Sequence, residues 1–138
     1  MRKTIAAILI GILFAGLGGA TTFSAANGTE RPWKASGSGI GMVTDDGVVI
    51  DGTSINNHLG KATFHAESTS DGGFIATVTA ANGDQVRIVF PPLGDPFFSG
   101  GTGRFAGASG TLINNLTSET LPDGTFTIEF TQTGTISY

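Results

Sequence analysis

Apolar and polar residues alternate along much of the chain after residue 30, and a period of two is typical of β-strands that bury one face. The clearest runs lie within 73–81, 84–90 and 126–130, where a hydrophobic residue stands at every second position. The same region lacks the three- or four-residue repeat of an amphipathic helix. The pattern therefore predicts an all-β fold.

Glycine-containing turns separate the alternating runs. Asn82-Gly83 predicts a tight hairpin, because both central residues of a type I′ turn need positive φ. Asp-Gly sequences mark further turns near 46–47, 71–73 and 123–124, and the proline-rich segment 91–96 predicts a loop. The segments between these turns predict eight strands, near 33–43, 47–54, 59–69, 73–81, 84–90, 96–100, 103–115 and 124–137.

Short strands joined by tight turns are typical of a β-sandwich or an up-and-down barrel. Eight strands is the number at which a closed barrel is just filled by side chains or holds one small ligand. Closure also removes the exposed edges that promote aggregation. We therefore expect a closed antiparallel eight-stranded β-barrel.

The N-terminus has the features of a secretory signal peptide. Arg2 and Lys3 precede an apolar run over 5–17, and small residues up to Ala26 offer cleavage sites. The apolar run is shorter than the roughly 20 residues of a membrane-spanning helix. We expect a signal peptide over 1–26, a flexible lead-in over 27–32 and a barrel domain over 33–138. The protein would then be exported, to the periplasm or the medium, without a stable membrane anchor after cleavage.

The charge composition argues against some classes of binding partner. The chain has seven basic residues, two of them in the signal peptide, against 11 acidic ones. This balance argues against binding nucleic acid or anionic lipid, which both need a basic surface. The chain has no cysteine, so its stability has to come from packing and hydrogen bonds instead of disulfides.

A glycine-rich run is the most distinctive motif. Its members are Gly100, Gly101, Thr102, Gly103, Arg104, Phe105, Gly107 and Gly110. Residues 101–106 formally fit a dinucleotide-binding fingerprint, but that site needs a preceding parallel strand and a following helix, which the pattern does not predict. Glycine within strands usually marks a bend or a close backbone approach. We therefore expect a structural role for the run, with Phe105 in the core.

The same run, Gly100 to Gly110, resembles a signature of the allene oxide cyclase and dirigent-like barrel superfamily. The resemblance is strongest to small secreted bacterial members, and the segments 58–63, 80–84 and 134–138 agree with it. It implies a calycin-like, eight-stranded barrel with a central cavity, often assembled as a trimer. The catalytic carboxylate of the cyclases and the acidic cavity residues of dirigent proteins match no position here by motif.

The candidate polar residues of the cavity are charged side chains on or near the predicted strands. They are Glu67, Asp84, Arg87, Arg104 and Glu129. His58 and His65 stand seven residues apart, an odd spacing that places them on opposite faces of a regular strand. We therefore expect no joint metal site, and no cofactor.

Three functions remain open from the sequence. We expect an exported barrel that binds a small apolar ligand, without catalysis. One alternative is an isomerase or cyclase related to allene oxide cyclase, although a shared fold does not fix function. The other is a structural or protein-interaction barrel. The character of the cavity discriminates among them, because an enzyme needs converging polar groups there.

Overall fold

The computed structural model describes residues 29–138, and they form eight β-strands and one short 3-10 turn, Gly103–Phe105. The strands are β1 (Glu30–Thr44), β2 (Gly47–Asn56), β3 (Gly60–Ser68), β4 (Phe74–Ala80), β5 (Gln85–Phe90), β6 (Phe97–Gly101), β7 (Leu112–Thr120) and β8 (Phe126–Ser137). The predicted all-β class with eight antiparallel strands is confirmed.

The N-terminal boundary of the sheet lies earlier than expected. The predicted signal peptide, 1–26, lies outside the described residues. β1 begins at Glu30, which pairs with Ser137 of β8. Residues 30–32 therefore belong to a strand and not to a flexible lead-in.

One sheet contains all eight strands, in the order β6-β5-β4-β3-β2-β1-β8-β7. It curls through 209° into a half-barrel. The prediction of a closed barrel is wrong, because the edge strands β6 and β7 share no continuous ladder of hydrogen bonds. The first strand lies inside the sheet, where it pairs with both β2 and the last strand, β8.

The glycine-rich run explains why the sheet stays open. The strand predicted over 103–115 is instead the 3-10 turn followed by an irregular segment, and β7 starts only at Leu112. Gly103 has φ +58° and Gly110 has φ +129°, in the range that favours glycine and that a regular strand does not use. The run therefore interrupts the ladder that closure would need.

The irregular segment nevertheless bridges the two sides of the opening at one end. The backbone N–H of Phe98 in β6 donates to Gly110 O (2.9 Å), and that of Gly100 donates to Ala108 O (2.9 Å). On the other side, the N–H of Ser137 in β8 donates to Ser109 O (2.8 Å). The exposed edges are thus partly satisfied without a full strand pair.

Phenylalanine rings fill the inside of the curled sheet by lying over glycines. Gly37 pairs across the strands with Phe130, Gly41 with Phe126, and Gly52 with Phe64. A Cβ on Gly37 would lie 2.6 Å from Cζ of Phe130. The inward positions of β1 therefore need glycine, because a neighbouring ring occupies the space of a side chain.

We predict that Gly37→Ala destabilises the fold by about 1–3 kcal/mol, the usual cost of overpacking. The added methyl would collide with the backbone oxygen of Thr53 as well as with Phe130, and backbone does not yield easily. Urea unfolding measures the change, and Ser36→Ala at the neighbouring exposed position is the control. Equal unfolding midpoints for the two variants would contradict the packing argument.

Candidate functional site

The curled sheet encloses a cavity of about 50 Å³. Inward-facing apolar side chains form most of its wall, among them Phe64, Ala76 and Leu116. A water molecule needs roughly 10–15 Å³ measured in this way, so the cavity has room for a few water-sized groups. Its position inside the curled sheet makes it the candidate ligand site.

A chain of hydrogen bonds runs along one side of the cavity. The indole N–H of Trp33 donates to Oε1 of Gln132 (3.1 Å), and Nε2 of Gln132 donates to Oδ1 of Asn114 (3.0 Å). Asn114 and Gln132 face each other on β7 and β8 and are only 4% and 7% exposed. Ser54 on β2 adds a hydroxyl to the lining. The polar part of the wall is therefore neutral.

The sequence analysis missed these amides, although the signal was present. Gln132 stands in a polar stretch, Thr131 to Thr135, that shows no alternation of its own. Counting in twos from Phe126 through Phe130 nevertheless places Gln132 on the buried face. The same count from Leu112 places Asn114 there.

The charged residues proposed from the sequence lie elsewhere. Glu67, Arg87 and Glu129 are exposed on the outer face of the sheet. Asp84 and Arg104 are brought together beside the 3-10 turn, with Nε of Arg104 3.5 Å from Oδ2 of Asp84. Neither belongs to the cavity lining, which among residues 29–138 holds no titratable side chain.

Trp33, which lines the cavity, also belongs to an aromatic cluster with His58, Phe105 and Tyr138. The His58 ring is stacked on the indole, with 5.8 Å between ring centroids. Tyr138 packs edge-on against Phe105, which is fully buried as expected. We call these four residues the aromatic plug.

His58 holds the plug together by hydrogen bonds as well as by stacking. Its Nε2 lies 2.7 Å from the backbone oxygen of Pro32, and its Nδ1 lies 2.9 Å from the Tyr138 hydroxyl. A carbonyl oxygen only accepts, so Nε2 carries a hydrogen, and the Tyr138 hydroxyl, which can donate or accept, is the partner of Nδ1. This arrangement satisfies both ring nitrogens and gives His58 a structural role.

The glycine-rich run ties the start of β5 to the plug. The N–H of Gln85 donates to Oγ1 of Thr102 (3.0 Å), and a Cβ on Gly101 would collide with the backbone oxygen of Gln85. Arg104 donates to the backbone oxygen of His58 (2.5 Å). The expected structural role thus has a local basis at these positions, whereas nothing in the structure explains the glycine at position 107.

His65 is exposed on the outer face of the sheet, between two carboxylates. Its Nδ1 is 2.6 Å from Oδ1 of Asp51, and its Nε2 is 3.0 Å from Oε2 of Glu67. The hydrogen bond to Asp51, followed by that to Glu67, raises the pKa of His65 above its ordinary value. In the part of the chain that the structure describes, no three His, Cys, Asp or Glu residues are placed to hold a metal ion.

No protein-family profile, curated protein or solved structure matches this chain. Over residues 29–138 the structure contains no helix of the length and hydrophobicity needed to cross a membrane.

We predict that Gly103→Val lowers the free energy of unfolding by at least about 1–3 kcal/mol. Valine is strained at φ +58°, and its Cβ would collide with the Asp84 carboxylate. Arg104→Ala should cost less, because the arginine side chain is about half exposed. Thermal unfolding followed by circular dichroism compares the two, and unchanged melting in both variants would refute a structural role for the run.

We predict that His65 stabilises the protein more at about pH 6 than at about pH 8.5. A pKa raised by folding gives a contribution that is fully present below the unfolded value, near 6.5, and is lost as the pH rises through the folded value. The effect is small, because the three side chains are well exposed. The measurement is the melting temperature of wild type minus that of His65→Gln at both pH values, with exposed Thr63→Gln as the control. A difference that does not vary with pH would contradict the prediction.

Proposed function

We propose that this protein binds a small, largely apolar ligand in the cavity of its curled sheet and that it does so after export. The observation that carries the proposal is the cavity itself, which combines an apolar wall with a few polar groups gathered on one side. Ligand sites generally have this composition, since apolar walls give affinity and a few polar groups give orientation. Export and assembly into trimers rest on the N-terminal sequence and on the family resemblance.

The composition of the wall favours binding over catalysis. General acid–base chemistry needs titratable groups within hydrogen-bond reach of the reacting atoms. The lining offers an indole, two amides and a hydroxyl, and its remaining members are hydrocarbon side chains. The cyclase alternative therefore draws its support from the resemblance and not from the cavity.

The size of the cavity limits the ligand. A cavity of about 150 Å³ accommodates benzene, and pockets for drug-sized ligands run from about 300 Å³ upwards. At about 50 Å³ this cavity suits a molecule of a few heavy atoms. A larger ligand has to displace a ring of the wall, and Phe130 is only half-buried. The sheet is open between its edge strands β6 and β7, which share only an isolated bridge.

We predict that filling the cavity with a larger side chain weakens ligand binding. Ala76 on β4 lines the cavity, whereas Thr77, the next residue, faces outward. Ala76→Leu should weaken the binding of 2-methylpropene at least about tenfold, because the added carbons occupy its site, and Thr77→Leu should leave it unchanged. Trp33 is the single tryptophan and lines the cavity, so its fluorescence reports binding directly.

Thermal melts establish first that both variants are folded. Two results would overturn the proposed function: a wild-type protein whose Trp33 signal does not respond to 2-methylpropene, and equal affinities in the two variants. The first would favour the alternative of a structural or protein-interaction role for the curled sheet.

A further inference from the structure

The indole of Trp33 fixes the direction of the buried hydrogen-bond chain. Its Nε1–H can only donate, so the group of Gln132 that faces it has to be the amide oxygen. An amide side chain can otherwise be turned either way, and neighbouring groups decide its orientation. Here the indole of Trp33, which is 1% exposed and can only donate, determines the orientation of the Gln132 amide.

The orientation of Gln132 in turn determines the orientation of the Asn114 amide. With its oxygen engaged by Trp33, Gln132 presents Nε2, which requires an acceptor. Asn114 therefore turns its oxygen towards Gln132, and its own NH₂ group becomes the free end of the chain. All hydrogens in the chain point in one direction, from Trp33 towards Asn114.

The free end lies on a residue of the cavity wall. Asn114 is 4% exposed, lines the cavity, and donates no hydrogen bond through Nδ2 to any of residues 29–138. In an apolar cavity, a donor that meets an acceptor is more favourable than one that is left without a partner. Within residues 29–138 the wall holds no carboxylate, and the side-chain oxygens of Gln132 and Asn114 are each engaged by the preceding donor of the chain.

The geometry points to a ligand with one hydrogen-bond acceptor, a carbonyl or ether oxygen on a small apolar skeleton, which Nδ2 of Asn114 binds. This inference rests on the proposed function, since it names the chemistry of the ligand for the same cavity. The acceptor sits beside Asn114, and the hydrocarbon part contacts the apolar wall. A hydrocarbon without an oxygen fits the same space and leaves the donor unpaired.

Two probes of nearly equal shape separate the two parts of this claim. Acetone and 2-methylpropene each have four heavy atoms, and they differ in a carbonyl oxygen against a methylene group. We expect acetone to shift the side-chain NH₂ resonances of Asn114 in nuclear magnetic resonance spectra, and 2-methylpropene to leave them nearly in place. This readout needs no variant and does not depend on relative solubility in water.

The chain provides an internal control for the resonance shifts. Nδ2 of Asn56 is buried and without a partner among residues 29–138, while Oδ1 of Asn56 accepts from the backbone N–H groups of His58 and Leu59. Asn56 does not belong to the cavity lining. Its NH₂ resonances should therefore stay unchanged in acetone, which distinguishes binding at Asn114 from a general solvent effect.

Variants then test the origin of the selectivity. Asn114→Leu keeps the volume and removes the donor, so acetone affinity should fall about tenfold, the factor for one hydrogen bond of average strength. The affinity for 2-methylpropene should be unchanged or higher. Trp33→Phe removes the group that orients both amides, so it should reduce the acetone-induced shift of Asn114 although residue 33 donates nothing to the ligand.

The outcomes distinguish the inference from the function on which it rests. Binding of 2-methylpropene with no specific shift of Asn114 in acetone, or an equal loss of both affinities in Asn114→Leu, overturns the acceptor selectivity and leaves ligand binding intact. A cavity that takes up water but neither probe overturns both. If Asn114→Leu does not fold, the wild-type resonances still decide the matter.

Discussion

The contact between phenylalanine rings and bare glycine backbone determines how tightly this sheet curls. Strong curvature brings inward side chains closer together than a flat sheet does, so large residues fit only where their neighbours are small. The ring of Phe64 lies over both Gly39 and Gly52, and Cβ atoms there would come within 2.9 Å and 2.7 Å of it. The inward glycines of β1 and β2 thus leave the space that the phenylalanine rings occupy. The cavity is the space that this fit leaves empty.

A close contact at a glycine is also found beside the polar side of the cavity. Trp33 on β1 is paired across the strands with Gly134 on β8, whose backbone also lies close to Leu112. A Cβ at position 134 would collide with the backbone oxygen of Thr111 and with Leu112, so β7 can approach β8 this closely only beside a glycine. Leu112 stands two positions before Asn114 on β7, and Gly134 two positions after Gln132 on β8. The close approach therefore lies next to the pair of amides on the cavity wall.

Sequence patterns predicted the strands where burial alternates, and failed where backbone conformation decides. β4 and β5 have the clean alternation that burial of one face produces, and both were placed to within a residue or two. The strand predicted over 103–115 failed because Gly103 and Gly110 adopt positive φ, a conformation that glycine permits and that the alternation of residues does not reveal. The prediction of a closed barrel was wrong for the same reason.

The candidate site was predicted poorly for a different reason. Charged residues attract attention in a sequence, but without partners they are costly to bury, and Glu67, Arg87 and Glu129 accordingly lie outside. The neutral amides that do line the cavity are common surface residues, so composition does not single them out. Only the count in twos along β7 and β8 places them on the buried face.

The placement of the first strand beside the last one has a kinetic consequence. β1 takes β8 as a partner, and the indole of residue 33 meets an amide 99 positions further along the chain. Such a contact can form only after nearly the whole chain is available, and its loop-closure entropy has to be overcome before it contributes any stability. Folds dominated by distant pairings cross their barrier in milliseconds to seconds, far more slowly than helical bundles. Until β8 pairs with it, one edge of β1 has no partner. A strand that lies inside the finished sheet is therefore an exposed edge strand while the protein folds.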